Sequence, residues 1–241
     1  MQDFTGINAK LKRAEENIFY LDEQISLFFQ EGDYAVLPKD DREEFLKAIQ
    51  YHRNRIIPPR FSVLAGEILH HLRSCFDHIT WHFSVGITKE HTWIDFPVLR
   101  NRPSNSNDRR SFKRKVELIQ NTDTRRLIET LQPYNASNPV DDPLWVIHDF
   151  DIVDKHRELV LSVPSGSVFF PTDMKPIIEN YQRVHPELDA VEVARQFQGY
   201  GTLMPYISFR DFGGRNFRPV IPGLVELFNY TLGAIKQFES F

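Results

Sequence analysis

Residues 62–85 read SVLAGEILHHLRSCFDHITWHFSV, and this stretch decides what kind of fold the chain adopts. Leu64, Ile68, Leu72, Cys75, Phe76, Ile79 and Phe83 recur every three or four positions, the period of a helix with one buried stripe. Gly86 closes the helix. The same period continues upstream. Ile7, Leu11, Ala14, Ile18, Leu21, Ile25 and Phe28 predict a helix over 7–30, ended by Gly32 and Pro38. A shorter helix is expected from Asp40 or Asp41 through Phe45, Ile49 and His52, and Pro58-Pro59 then breaks the chain.

Downstream, two short helices are expected over 110–119 and 122–131, the second capped by Thr122 or Asp123. A helix from Pro143 to Arg157 has proline in its first turn, where the missing N–H costs nothing. The pattern then changes. Leu159 to Val163, Val168 to Phe170 and Leu203 to Phe209 read as strands, with a charged, partly helical stretch over 174–197 between them. A closing helix from Pro222 to Phe238 carries Leu224, Leu227, Phe228, Leu232 and Ile235 on one stripe. The expected class is mainly α (α+β): a helical bundle with a small antiparallel β-sheet inserted before the C-terminal helix. The expected organisation is a single domain over 1–241. Its bundle takes in 1–157 and the closing helix 222–238, and its β-containing insertion takes in 158–221.

Composition narrows the function. A net charge of −4 on 241 residues excludes a wholly basic packaging protein, and a 41% apolar share excludes a disordered chain. No apolar run reaches the roughly 18 residues of a membrane span, and no signal-peptide core follows Met1. Cys75 is the single cysteine, so no internal disulfide is available. A cytoplasmic protein with no membrane role is the expectation. The charge is unevenly spread. Residues 100–115 read RNRPSNSNDRRSFKRK, in which Arg100, Arg102, Arg109, Arg110, Lys113, Arg114 and Lys115 face the single Asp108. That segment carries +6, so the remainder of the chain carries −10. Clustered Lys and Arg of this kind suit a phosphate backbone, because binding releases condensed counterions.

Within the 62–85 helix, His70, His71, Arg73, Asp77, His78 and His82 fall in 13 residues. Glu67, His71, His78 and His82 lie within about 60° of one another on the helical wheel. One chemistry is a divalent metal ion held by those four side chains. The other is metal-free: His78 moves a proton, Arg73 stabilises a phosphate's developing charge, and Asp77, four residues on, pairs with Arg73. Cys75 sits among apolar positions and reads as a buried thiol. A second cluster, Asp154, Lys155, His156 and Arg157, lies at the end of the 143–157 helix, where positive charge suits the macrodipole.

The segments GEILHHLRSCFDHITWH (66–82), LQPYN (131–135), DPLWVI (142–147) and DIVDKHREL (151–159) together resemble a family of bacterial helical proteins of unassigned function. That family places an Arg–Ser–x–x–Asp–His core on one helix and an Asp–Lys–His–Arg run on another. The Arg73…His78 spacing is also similar to the HEPN superfamily motif, an Arg and a His four to six residues apart on a bundle helix. That resemblance implies a metal-independent endoribonuclease working as a homodimer in stress or phage defence. Arg73 would contact the scissile phosphate and His78 would activate the ribose 2′-hydroxyl. The residue after Arg73 is Ser74, where the superfamily prefers Asn, Asp or His, and its non-catalytic members serve as binding or dimerisation modules. Three expectations therefore stand side by side. The first is a HEPN-like RNA-binding or RNA-cleaving protein without a cofactor, the second a metal-binding bundle, and the third a structural or interaction module.

Overall fold

The computed structural model describes residues 4–31, 47, 50–51, 54–86, 94–156, 161–162, 168–169, 175–188, 193, 196, 202–203, 206–209 and 219–241. Four helices make a bundle: α1 (Thr5–Gln30), α2 (Pro59–Phe83), α5 (Pro143–His156) and α7 (Val220–Phe238). Helix α2 runs antiparallel to α1, with Phe28 against Phe61 at one end and Phe4 against Phe83 at the other. Helix α5 is antiparallel to α2, since His148, Asp151 and Asp154 meet Arg73, His70 and Gly66 in that order. Helix α7 runs alongside α2 in the same direction, pairing Tyr230 with Phe76 and Phe238 with Phe83. In chain order the bundle goes up, down, up, down. Helices α2 and α7 form its centre, each touching both α1 and α5.

The core follows the apolar periods of the sequence. Ile7, Leu11, Ala14, Ile18, Leu21, Ile25 and Phe28 of α1 are buried, as are Ile68, Leu72, Cys75, Phe76, Ile79 and Phe83 of α2. Cys75 is sealed inside, its Sγ 3.8 Å from the Ile7 carbonyl oxygen, and burial pushes its thiol pKa up to about 12. Helix α2 starts three residues earlier than its apolar pattern suggests, because Pro59 occupies the first turn, where no N–H is needed. It stops at Phe83. Ser84 then turns extended and bridges Ile119, and Gly86 adopts a φ of +65° that favours glycine.

Two short helices, α3 (Ser106–Val116) and α4 (Thr122–Thr130), connect α2 to α5. Each is capped by an asparagine. Asn105 accepts from the amides of Asn107 and Asp108, and Asn121 accepts from those of Asp123 and Thr124. Asn105 is why α3 occupies 106–116 rather than 110–119. A 3-10 turn, Pro133–Asn135, precedes α5.

Two nested antiparallel strand pairs lie before the C-terminal helix. Outer strands β1 (Leu161–Ser162) and β4 (Ser208–Phe209) pair Leu161 with Phe209 and Ser162 with Ser208. Inner strands β2 (Val168–Phe169) and β3 (Thr202–Leu203) pair Val168 with Leu203 and Phe169 with Thr202. Helix α6 (Lys175–Val184) lies between the inner strands in the chain. The strand expected over Leu203–Phe209 is two short pieces instead, and the intervening sequence contains Pro205, which has no N–H to offer a ladder. The insertion joins the bundle core through Leu161, Ile207 and Phe209, with the Phe209 ring 4.9 Å from Phe150 of α5. The helix expected over 40–52 falls outside the described residues, except that Lys47, Gln50 and Tyr51 are helical. Among the described residues no helix is long and apolar enough to cross a membrane.

Candidate nucleic-acid interface

Arg73 lies inside the protein, with 5% of its surface exposed. On α2 it shares with Gly66, His70 and Asp77 the side that meets α5. Its Nη1 donates to Asp77 Oδ1 at 2.5 Å, its Nη2 to the Phe96 carbonyl at 2.9 Å, and its Nε to His148 Nδ1 at 3.3 Å. Asp95 lies 4.0 Å from Nη2. The guanidinium therefore organises residues 94–99, a partly buried segment that is neither helix nor strand. Buried backbone groups need partners, and here side chains supply them. Asp77 Oδ1 accepts from the Phe96 amide, and Gln132 accepts from the Leu99 amide while donating to the Pro97 carbonyl. His148 is kept neutral: burial first, then the adjacent Arg73, lower its pKa to about 4.

His78 stands on a different side of α2. It is exposed beside α1, its Nδ1 3.8 Å from where a Cβ on Gly6 would lie, and it is absent from the partners of Arg73. Partial desolvation and the nearby Lys10 lower its pKa. Within the chain, Arg73 and Asp77 come together as expected, while Arg73 and His78 do not address a common point.

The proposed metal ligands form a stripe along α1, without converging. Glu67 takes a 3.4 Å bond from Asn17, the His82 ring lies tilted against Phe4 with centroids 4.9 Å apart, and His78 lies by Gly6. His71, whose Nδ1 is buried without a hydrogen-bond partner, has its pKa lowered by burial and then by Lys10. His71 and His78 are seven residues apart, roughly 10 Å along the axis, too far to share one ion. Among the described residues no group of three His, Cys, Asp or Glu side chains is arranged to hold a metal.

The second cluster is partly built into the α2–α5 contact. Lys155 Nζ lies 2.6 Å from Oδ2 of buried Asp151, whose Oδ1 is 3.0 Å from His70 Nδ1. The Asp154 carboxylate lies against Gly66, and burial, then Asp151, raise its pKa. His156 is exposed at the helix end, and Arg157 lies outside the described residues.

The basic segment is the candidate that faces outward. Residues 94–100 run out from beneath Arg73, and α3 returns alongside them, as the Lys115–Asp95 ion pair at 2.6 Å shows. Lys115 is thereby turned inward. Arg109, Arg110, Lys113 and Arg114 are exposed on α3, Arg109 also bonding the carbonyls of Ser104 and Asn105. Arg100 lies over the Trp145 ring, its Cζ 5.4 Å from the centroid, and Arg102 lies over Tyr134 at 5.0 Å while donating to Asn135 Oδ1 at 2.9 Å. Tyr134 is itself held by a hydrogen bond from its hydroxyl to Glu129. The segment 131–147 thus carries the aromatic supports for the basic one.

Gln132, Asp95, Trp145 and Tyr134 escaped the sequence reading. For three of them a signal was available, because LQPYN and DPLWVI stand out as motifs; nothing in the sequence marks Asp95. No protein-family model, curated protein or solved structure matches this chain.

Proposed function

We propose that the protein binds RNA through the band formed by Arg100, Arg102 and the exposed face of α3. The observation that carries this reading is the way the +6 segment folds. Lys115 is paired with Asp95, while Arg100, Arg102, Arg109, Arg110 and Lys113 lie on the surface. An Asn105-capped helix displays Arg109, Arg110 and Lys113 on the surface, and two further guanidiniums are steadied on rings beside its start. The remaining chain carries a net −10, so the basic band contrasts in sign with the rest of the sequence. Cleavage by Arg73 and His78 forms no part of the proposal, because Arg73 directs its donors to Asp77, Phe96 and His148.

The test is the affinity for a labelled RNA oligomer between about 50 and 200 mM salt, wild type against Arg109→Glu/Arg110→Glu/Lys113→Glu. Wild-type affinity should fall steeply with salt. The variant should bind far more weakly and flatten the log–log slope by about 2, at roughly 0.7 for each phosphate it no longer neutralises. Absence of binding at the low-salt end, or a salt response unchanged in a folded variant, would refute the reading.

A further inference from the structure

The band contains more than charge. Two cation–π contacts arise here from arginines two positions apart. Both supporting rings belong to one ridge, the 3-10 turn with Tyr134 and the first turn of α5 with Trp145. Arg100 and Arg102 are exposed beside rings that are half-buried, their guanidinium carbons 5.4 and 5.0 Å from the ring centroids. Asn135 fixes the rotation of Arg102, and the Glu129 bond fixes Tyr134. Side-chain ordering that a ligand would otherwise have to impose is therefore already in place.

An exposed guanidinium and the ring beside it are both planar groups on which another planar group can stack. Nucleobases stack on arginine planes and aromatic rings, but only when unpaired, because a duplex keeps its base faces inside the stack. Building on the RNA-binding reading above, we infer that Arg100–Trp145 and Arg102–Tyr134 form a stacking platform for unpaired bases. The protein's ligand is then single-stranded RNA, its phosphates on α3 and one or two bases on the platform. Charge alone would take single strand, duplex and base-free backbone alike; the platform distinguishes them.

Three labelled probes of equal phosphate number separate these cases: an oligoadenylate, a duplex, and an abasic ribose-phosphate oligomer. Each is titrated at one salt concentration against wild type and Arg100→Lys/Arg102→Lys, which keeps both charges and loses both planes. Wild type should bind the oligoadenylate about tenfold or more tighter than the abasic oligomer, in line with the contribution of a stacked base. It should also prefer the oligoadenylate to the duplex. The lysine variant should lose most of that preference. Equal binding of oligoadenylate and abasic oligomer by wild type overturns the platform and leaves RNA binding standing. A preference undiminished in the lysine variant also overturns it. Failure to bind any probe at low salt removes the RNA-binding reading itself, and the platform with it.

Discussion

At the residue scale, Arg73 joins separate parts of the chain. Its partners lie four, 23 and 75 residues away, and together they fix where the 94–99 segment leaves the bundle. Removing a buried charge's partner costs about 3–5 kcal/mol, since the other charge stays desolvated and unpaired. Asp77 is partly exposed, which lowers that figure, while the Phe96 carbonyl would lose its bond outright. Arg73→Met should therefore lower stability by about 3 kcal/mol in urea denaturation, and Arg73→Lys should recover little, because an ammonium cannot reach all three acceptors. A midpoint unchanged in Arg73→Met would show that the 94–99 segment holds without it. The sequence marked Arg73 as important and Asp77 as its partner. It could not show the direction in which Arg73 points, because side chain to backbone bonds over 23 residues leave no periodic trace. The same applies to His70 and Asp151, 81 residues apart.

At the element scale, the long helices were legible because burial imposes a 3.6-residue period on their apolar residues. Helix ends were less so. Asn105 moved the start of α3 by four residues, and its Asn-x-x-Asp sequence was a readable cap. The strands were located only coarsely, since each pairing engages two residues per strand. Helix packing also contains a close approach that no single-helix pattern reveals. A Cβ on Gly66 would overlap the Asp154 carboxylate, so glycine lets α5 place that group against α2. Replacing an interior helical glycine by alanine ordinarily gains about 1 kcal/mol. Gly66→Ala should forfeit that gain while Asp154 is present and recover it in an Asp154→Ala background. A double-mutant cycle by urea denaturation should give a coupling of about 1 kcal/mol; additive effects would mean that Asp154 swings aside without cost.

At the scale of the whole molecule, charge and pH response follow from where ionisable groups lie. His148 is strongly depressed, its pKa near 4 through burial and then Arg73 and Lys115, with Asp151 and Asp149 opposing. Between about pH 6.5, the ordinary value, and pH 4, the unfolded chain holds a proton at this position that the folded chain refuses. Stability from this group is thus complete above about pH 6.5 and declines as pH falls, by up to about 1.4 kcal/mol per unit. His148→Asn keeps an acceptor for Arg73 and titrates no proton, so its urea midpoints at about pH 7 and pH 5 should lie closer together than those of wild type. Equal pH sensitivity in both would place the acid response elsewhere. The sequence showed the −4 to be a local +6 on a −10 remainder, but not that α3 would display it.

The nesting of the strands has a topological consequence. Because Ser162 and Ser208 are neighbours across β1 and β4, the chain returns to one strand spacing from where it departed, about 5 Å. The 45 residues between them are a closed detour whose two ends are clamped at the bundle by Leu161 and Phe209. For such a detour the entropy of closure grows only with the logarithm of its length, about 0.6 kcal/mol for each doubling. A change in the length of the excursion between β1 and β4 therefore costs little closure entropy and leaves the ridge that supports the basic band in register.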